Sequence, residues 1–332
     1  MQHGGVAAPA GTRPTRVSRT VALLVATNIV LAAALVYVLM QNAQIQAAHK
    51  SNFDLLSANI AWMDLDDFLQ KQKTMTVSYL DLKQSMLGYM DSQKLSGRYS
   101  VYFEDLTTGA WTGIDERETF IPASLLKMPT VIATLKKVEL GSLSLDTAIV
   151  LTDDMIDYNF GNLSDKGPGY AITVKDLLKF AVRDSDNTAL WALDSLLTPD
   201  EYIAARAAVG MPYVSQADDL KVSPKSYSNI LRSLYMSTYL RRTFSQLALS
   251  MMAETDYNNE MPAGVPVGTT VAHKVGYNMY GGYYHDCGIV YAPDKPYILC
   301  VMSRNSTLEE ADIAIRKISF MTYNYVMTGH AE

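Results

Sequence analysis

Three short motifs hold the residues of this 332-residue chain whose types and spacing could do chemistry. Ser124-Leu125-Leu126-Lys127 sets a hydroxyl and an amine at i and i+3, positions that share a face in a helix. Pro122 just upstream suits a helix start. Unpaired N–H groups and the helix dipole favour developing negative charge there. An amine acts as a base only if it is partly neutral, so Lys127 must be buried or lie beside another cation. Ser185-Asp186-Asn187 follows Arg183-Asp184 and leads into TALWALDSLL, and Lys274-Val275-Gly276 lies within VAHKVGY. A serine–histidine–aspartate triad fits less well. No G-x-S-x-G sequence occurs, His3, His49 and His330 lie towards the chain ends, and His273 and His285 read as structural residues in or beside strands. There is no Walker-type phosphate loop, no dinucleotide fingerprint and no paired-cysteine zinc motif.

In the order S-x-x-K, S-D-N, K-x-G, the motifs resemble those of the class A β-lactamase-like serine hydrolases of the penicillin-recognising superfamily. The likeness runs roughly from Val77 to the C-terminus and takes in GSLSLDTAIVLTDD, ITVKDLLKFAVRDSDNTA and MPAGVPVGTTVAHKVG. It implies Ser124 as the acylated nucleophile, Lys127 as its general base and Ser185 as a proton relay to the leaving nitrogen. It implies that Asn187 holds the substrate's amide side chain. Lys274 would attract a substrate carboxylate and help lower the pKa of Lys127. Gly276 would let substrate lie against the strand edge. The backbone N–H groups of Ser124 and Tyr277 would form an oxyanion hole. Asp186 would tie its loop together. The resemblance implies no cofactor and no metal.

Two departures bear on the activity. Val275 stands where the family has threonine or serine. The missing hydroxyl would bind a carboxylate, a bond worth about 1.5–3 kcal/mol. The family's E-x-x-L-N loop, whose glutamate activates the deacylating water, does not occur between Asn187 and Lys274. The glutamates there are Glu201, Glu254 and Glu260, and Asp218 and Asp219 are the carboxylates nearest to where that glutamate would fall. Glu201 follows Thr198-Pro199-Asp200 and reads as a helix-start acid. The expectation is a Ser-Lys acyl-enzyme hydrolase acting on β-lactams or D-Ala-D-Ala-type cell-wall peptides, with slow deacylation. Two alternatives remain open: a catalytically inert relative that binds peptidoglycan or a partner, and an amidohydrolase of glutaminase type.

These motifs need elements to carry them. A helix is expected over Val77–Ser92, then strands Arg98–Leu106 and Ala110–Ile114 joined through Thr107-Thr108-Gly109. A long helical stretch follows from Ser124 to Leu197, broken by loops at Gly161 and Gly167-Pro168-Gly169. Ser223-Pro224 opens another helix. Strands are expected over Val271–Tyr277, Cys287–Tyr291 and Tyr297–Ser303, and a closing helix over Leu308–Met327. Strands from both ends with helices between them predict an α+β fold, one mixed antiparallel sheet with a helical subdomain inserted. The resemblance implies the β-lactamase/transpeptidase-like version of it.

The N-terminal part is different in kind. Val21–Met40 is an uncharged, mostly apolar run of the length that spans a bilayer as a helix. Arg13, Arg16 and Arg19 precede it, so the first twenty residues are expected in the cytoplasm and the rest outside. The run exceeds a signal-peptide core and lacks a good cleavage site after it. The predicted organisation is a tail over 1–20, a single-pass anchor over 21–40, a helical spacer over 41–75 (Phe53, Leu56, Ile60 and Met63 at helical spacing) and a hydrolase domain over 76–332.

The first fifty residues hold four of the 28 basic residues and none of the 34 acids, so the remainder carries a net charge of −10. That balance disfavours nucleic acid as a partner. Mean hydropathy of +0.01 averages the apolar run with a more polar domain. The two cysteines, Cys287 and Cys300, flank a PDKP turn. A turn centred between Pro293 and Asp294 sets them opposite one another, as a disulfide outside the membrane or as two buried thiols.

Overall fold

The computed structural model describes residues 27–28, 30–41, 55, 78–211 and 220–331. The chain divides into two compact units, Met1–Asn52 and Phe53–Glu332. In the first, residues 27–28 and 30–41 are helical. Among the described residues no helix is long and apolar enough to cross a membrane; most of the predicted spacer, with Phe53, Leu56, Ile60 and Met63, lies outside them. Leu55 is buried in the larger unit, where Gln246 Oε1 accepts its N–H and Tyr291 donates its hydroxyl to its carbonyl.

From residue 78 on, the larger unit runs through helix α1 (Leu80–Ser92) and strands β1 (Tyr99–Asp105) and β2 (Trp111–Ile114). It ends with β5 (Val271–Asn278), β6 (Tyr283–Val290), β7 (Tyr297–Ser303) and a long helix (Leu308–Thr328). These strands make one five-stranded sheet in the order β2-β1-β7-β6-β5, with every neighbouring pair antiparallel. The last strand inserts beside the first, so the sheet is built from both ends of the domain, as expected. β7 is central and covered on both faces, so Tyr297–Met302 is an unbroken apolar run rather than an alternating one.

Between the two halves lie α2 (Lys127–Glu139), α3 (Val174–Arg183), α4 (Asn187–Asp194), α5 (Pro199–Ala208), α6 (Pro224–Tyr235) and α7 (Arg242–Ala253). The C-terminal helix is therefore α8. The predicted helical stretch Ser124–Leu197 also contains a two-stranded sheet, β3 (Ala148–Val150) with β4 (Ala171–Thr173). Three residues a strand are too few to display a period of two, so the sequence pattern did not separate them from helix. Local signals set the helix starts well. Thr198 and Ser223 each form a capping box at a helix that has proline in its first turn. Glu201 is the acid of the first box, as its position predicts.

Two cores sandwich the sheet. One face packs Ile298, Cys300 and Met302 against the helical part through Leu135, Leu178, Leu231 and Leu249. The other packs Tyr297, Leu299 and Val301 against α1 and α8 through Leu82, Met86, Ile315 and Ile318. Tyr79, just before α1, lies 5.9 Å ring to ring from Tyr325 of α8, and the Tyr325 hydroxyl donates to the carbonyl of Ser78. The β6–β7 hairpin pairs Cys287 with Cys300, and the two form a disulfide.

Candidate active site

Ser124 is the second residue of a 3₁₀ turn, Ala123–Leu126, that runs straight into α2. Ala123, just before it, has a left-handed backbone (φ 49°). The motif's spacing does what it predicts: Lys127 Nζ donates to Ser124 Oγ at 2.8 Å. Lys127 is buried at 2% exposure, in a helix whose residues Lys127–Leu135 are all buried. Burial lowers its pKa from 10.5 to about 8, against the pull of Asp186 and Asp157. The expected lowering of Lys127 thus has desolvation as its main cause.

The second motif is a helix start. Asp186 caps α4, accepting Ala189 N–H on Oδ1, while its Oδ2 accepts Leu163 N–H from a separate loop. That is the tying role expected of it. Ser185 is forced into left-handed backbone (φ 55°), and Asn187 becomes the first residue of α4. Asn187 Oδ1 accepts from Lys127 Nζ at 2.8 Å. Its amide also bonds Asp157, a carboxylate that itself accepts from Asn159 N–H and Trp191 Nε1. Asp157 therefore fixes which way the Asn187 amide faces. Sequence reasoning missed Asp157, because nothing in TDDMIDYNF singles out one acid among three.

The third motif lies on β5, an edge strand of the sheet. Lys274 is buried and donates to Ser185 Oγ at 2.8 Å and to the carbonyl of Val275. Burial, then the neighbouring Lys127 cation, hold its ammonium well below the usual lysine range. A Cβ on Gly276 would meet the Pro122 carbonyl oxygen at 2.6 Å and Leu125 Cγ at 2.9 Å. Glycine is what allows β5 to lie against the turn carrying Ser124, and it brings Tyr277 next to that turn. His285 strengthens the same approach. Its Nε2–H donates to the Ile121 carbonyl at 2.8 Å, its Nδ1 accepts from Ser303 N–H, and burial lowers its pKa to about 4. It is a neutral structural histidine, as is fitting for its place in a strand. Val275 is buried on β5.

Among the described residues, the glutamates between the second and third motifs are engaged elsewhere. Glu201 caps α5 and pairs with Lys137 at 2.9 Å, and Glu254 pairs with Lys179 at 3.4 Å. Glu260 is fully buried and accepts the Tyr277 hydroxyl at 2.8 Å. Burial and the nearby Asp286 push its carboxyl well above the usual range. Asp286 also bonds His273 Nδ1 at 2.7 Å and accepts Met261 N–H. Asp218 and Asp219 lie outside the described residues. Among the described residues, no group of three or more histidine, cysteine or acidic side chains could hold a metal.

A five-stranded antiparallel sheet with a helical part inserted between its halves, and a buried lysine on a serine at the junction, define the β-lactamase/transpeptidase-like class. The chain belongs to the beta-lactamase enzyme family, whose model matches residues 81–326, and it is a serine hydrolase. It is 28% identical over 216 residues to the extended-spectrum beta-lactamase PER-1 of Pseudomonas aeruginosa, covering 58% of this chain and 70% of that one. It is 24% identical over 242 residues to beta-lactamase 3 of Bacillus cereus, covering 66% and 73%. Among solved structures, a mutant of PBP-A captured as an acyl-enzyme complex with penicillin G superposes with a TM-score of 0.67 at 24% identity, over 75% of this chain and 97% of that one. A beta-lactamase from Sphaerobacter thermophilus superposes with a TM-score of 0.67 at 20% identity, over 75% and 98%. At these identities the structural matches bear on the fold alone.

Proposed function

We propose that the chain is a membrane-anchored, extracytoplasmic serine hydrolase that opens β-lactams, or cleaves D-Ala-D-Ala-type cell-wall peptides, through an acyl-Ser124 ester that deacylates slowly. The observation that carries this reading is the 2.8 Å contact between Ser124 Oγ and a Lys127 amine whose pKa is lowered to about 8. About a tenth of such an amine is neutral near pH 7, enough to act as a base. The neutral amine takes the Ser124 proton as Oγ attacks the carbonyl carbon. Negative charge builds on the carbonyl oxygen, opposite the N–H groups of Ser124 and Tyr277. The C–N bond then breaks as Ser185, held by Lys274, passes its hydroxyl proton to the leaving nitrogen and regains one as Lys127 gives up the proton it took from Ser124. The net transfer is one proton from Ser124 to that nitrogen. Asn187 steers the substrate's amide side chain, and Lys274 attracts its carboxylate.

Slow release is supported by the engagement of Glu201, Glu254 and Glu260 in other contacts. The apolar run Val21–Met40 with three arginines before it supports an anchor with the domain outside, and the Cys287–Cys300 bridge fits an oxidising compartment.

Intact mass spectrometry with penicillin over time tests the chemistry. The expected result is a stoichiometric adduct mapped to Ser124, absent from Ser124→Ala, that persists over many minutes. No adduct would sink the acyl-enzyme, and rapid turnover of a chromogenic cephalosporin would sink slow release. Alkaline extraction of membranes tests the anchor: the chain should stay with the lipid pellet, and its release would remove the anchor.

A further inference from the structure

A second cavity opens on the sheet edge opposite β5. Its volume is about 590 Å³, and it is lined by Tyr102 of β1, Trp111 of β2, Arg117, and Lys225, Asn229 and Arg232 of α6. That volume falls within the range of small-molecule sites. β2 and β5 are the two edges of the sheet, with three strands between them. No residue of the three catalytic motifs lines the cavity.

The inner wall is already satisfied. Arg232 pairs with Glu104 and donates to Asn229 Oδ1 at 2.7 Å, and the Tyr102 hydroxyl donates to Glu104 at 2.9 Å. The outer wall is not. Lys225 pairs with no carboxylate among the described residues, and its ammonium lies 3.2 Å from the centroid of the Trp111 ring. Arg117 has only the loose contact to its neighbour Glu116 at 3.6 Å, with its side chain 78% exposed. Trp111 stacks on Tyr102 at 5.7 Å and keeps 46% of its surface exposed. Glu116 and Glu104 both act on Lys225, so the cations Arg117, Lys225 and Arg232 outnumber the nearby carboxylates by one, beside a half-open indole. A guanidinium fork and an ammonium suit a carboxylate, and an exposed indole suits a flat ring.

We propose that this cavity is a second binding site, separate from Ser124, for a small carboxylated ring compound, an acidic sugar or an aromatic acid. The carboxylate bridges Lys225 and Arg117, and the ring covers the open part of Trp111.

The test titrates the full chain with glucuronate and with benzoate, using glucose and benzyl alcohol as their uncharged counterparts. Calorimetry gives affinity, and indole emission reports on Trp111. At least one acid should bind saturably and change an emission component that Trp111→Phe removes. Lys225→Ala and Arg117→Ala should each weaken that acid about tenfold, as for the loss of a charge-assisted bond. Binding of glucuronate alone assigns an acidic sugar, of benzoate alone an aromatic acid, and of both the carboxylated ring as such. The proposal is overturned if neither acid binds below roughly 10 mM, a free energy too small for a recognised ligand. It is equally overturned if the uncharged counterparts bind as well, or if both alanine variants, melting like the parent chain, bind as tightly.

Discussion

Lys127 is where function and stability pull against each other. A buried ammonium lowered to about 8 costs the folded state about 3 kcal/mol at neutral pH. The unfolded chain holds that proton up to the ordinary lysine value, so the penalty is full below pH 8 and fades as pH rises towards about 10. Acylation should follow the neutral amine: its rate climbs as pH rises through about 8 and then levels, which penicillin labelling across pH will show. Lys127→Met removes the base and the desolvation cost together. Labelling should vanish while the melting temperature rises by about 2–4 °C, because the lost bonds to Ser124 and Asn187 offset only part of the gain. Val275 makes the opposite kind of prediction. Val275→Thr restores a hydroxyl worth about 1.5–3 kcal/mol to a carboxylate, so acylation by penicillin should quicken about tenfold or more. An unchanged rate would mean that the carboxylate does not reach position 275.

At the scale of elements, the site depends on how closely β5 approaches the turn before α2. Gly276→Ala drives a methyl into the Pro122 carbonyl. The expected cost is about 1–3 kcal/mol of stability and about a hundredfold in labelling rate, since a small misplacement of a nucleophile is enough for that. A melt and a labelling time course on the same sample measure both. The approach also explains what could be read in advance. The S-x-x-K spacing and the Ser223-Pro224 start are local signals, so sequence alone placed Ser124, Lys127 and α6 in helical elements. The partners of Lys127 and Lys274 come from elements far apart in the chain. Asp157, the buried Glu260–Tyr277 bond and the His285 strut depend on tertiary packing, which no window of sequence displays. The β3–β4 pair was hidden for a different reason, its strands being too short to carry a pattern.

For the molecule as a whole, a sheet built from both ends of the domain was legible because strand-like runs cluster at both ends and helical ones in its middle, whereas the strand order was not. The hairpin arithmetic was legible too: a turn at Pro293–Asp294 pairs Cys287 with Cys300, as observed. The same sequence left the bond between the cysteines open, since only spatial closeness decides it. The contact between Tyr79 and Tyr325 carries a consequence for engineering. Where α1 begins and where α8 finishes are a side chain apart, so the polypeptide there is close to a closed ring. A circular permutant with those ends spliced by a few flexible residues, and new termini in the exposed turn Pro293–Lys295, should fold and still take the penicillin label at Ser124. The disulfide would staple the two new ends, and adding a reductant should loosen the permutant far more than the parent.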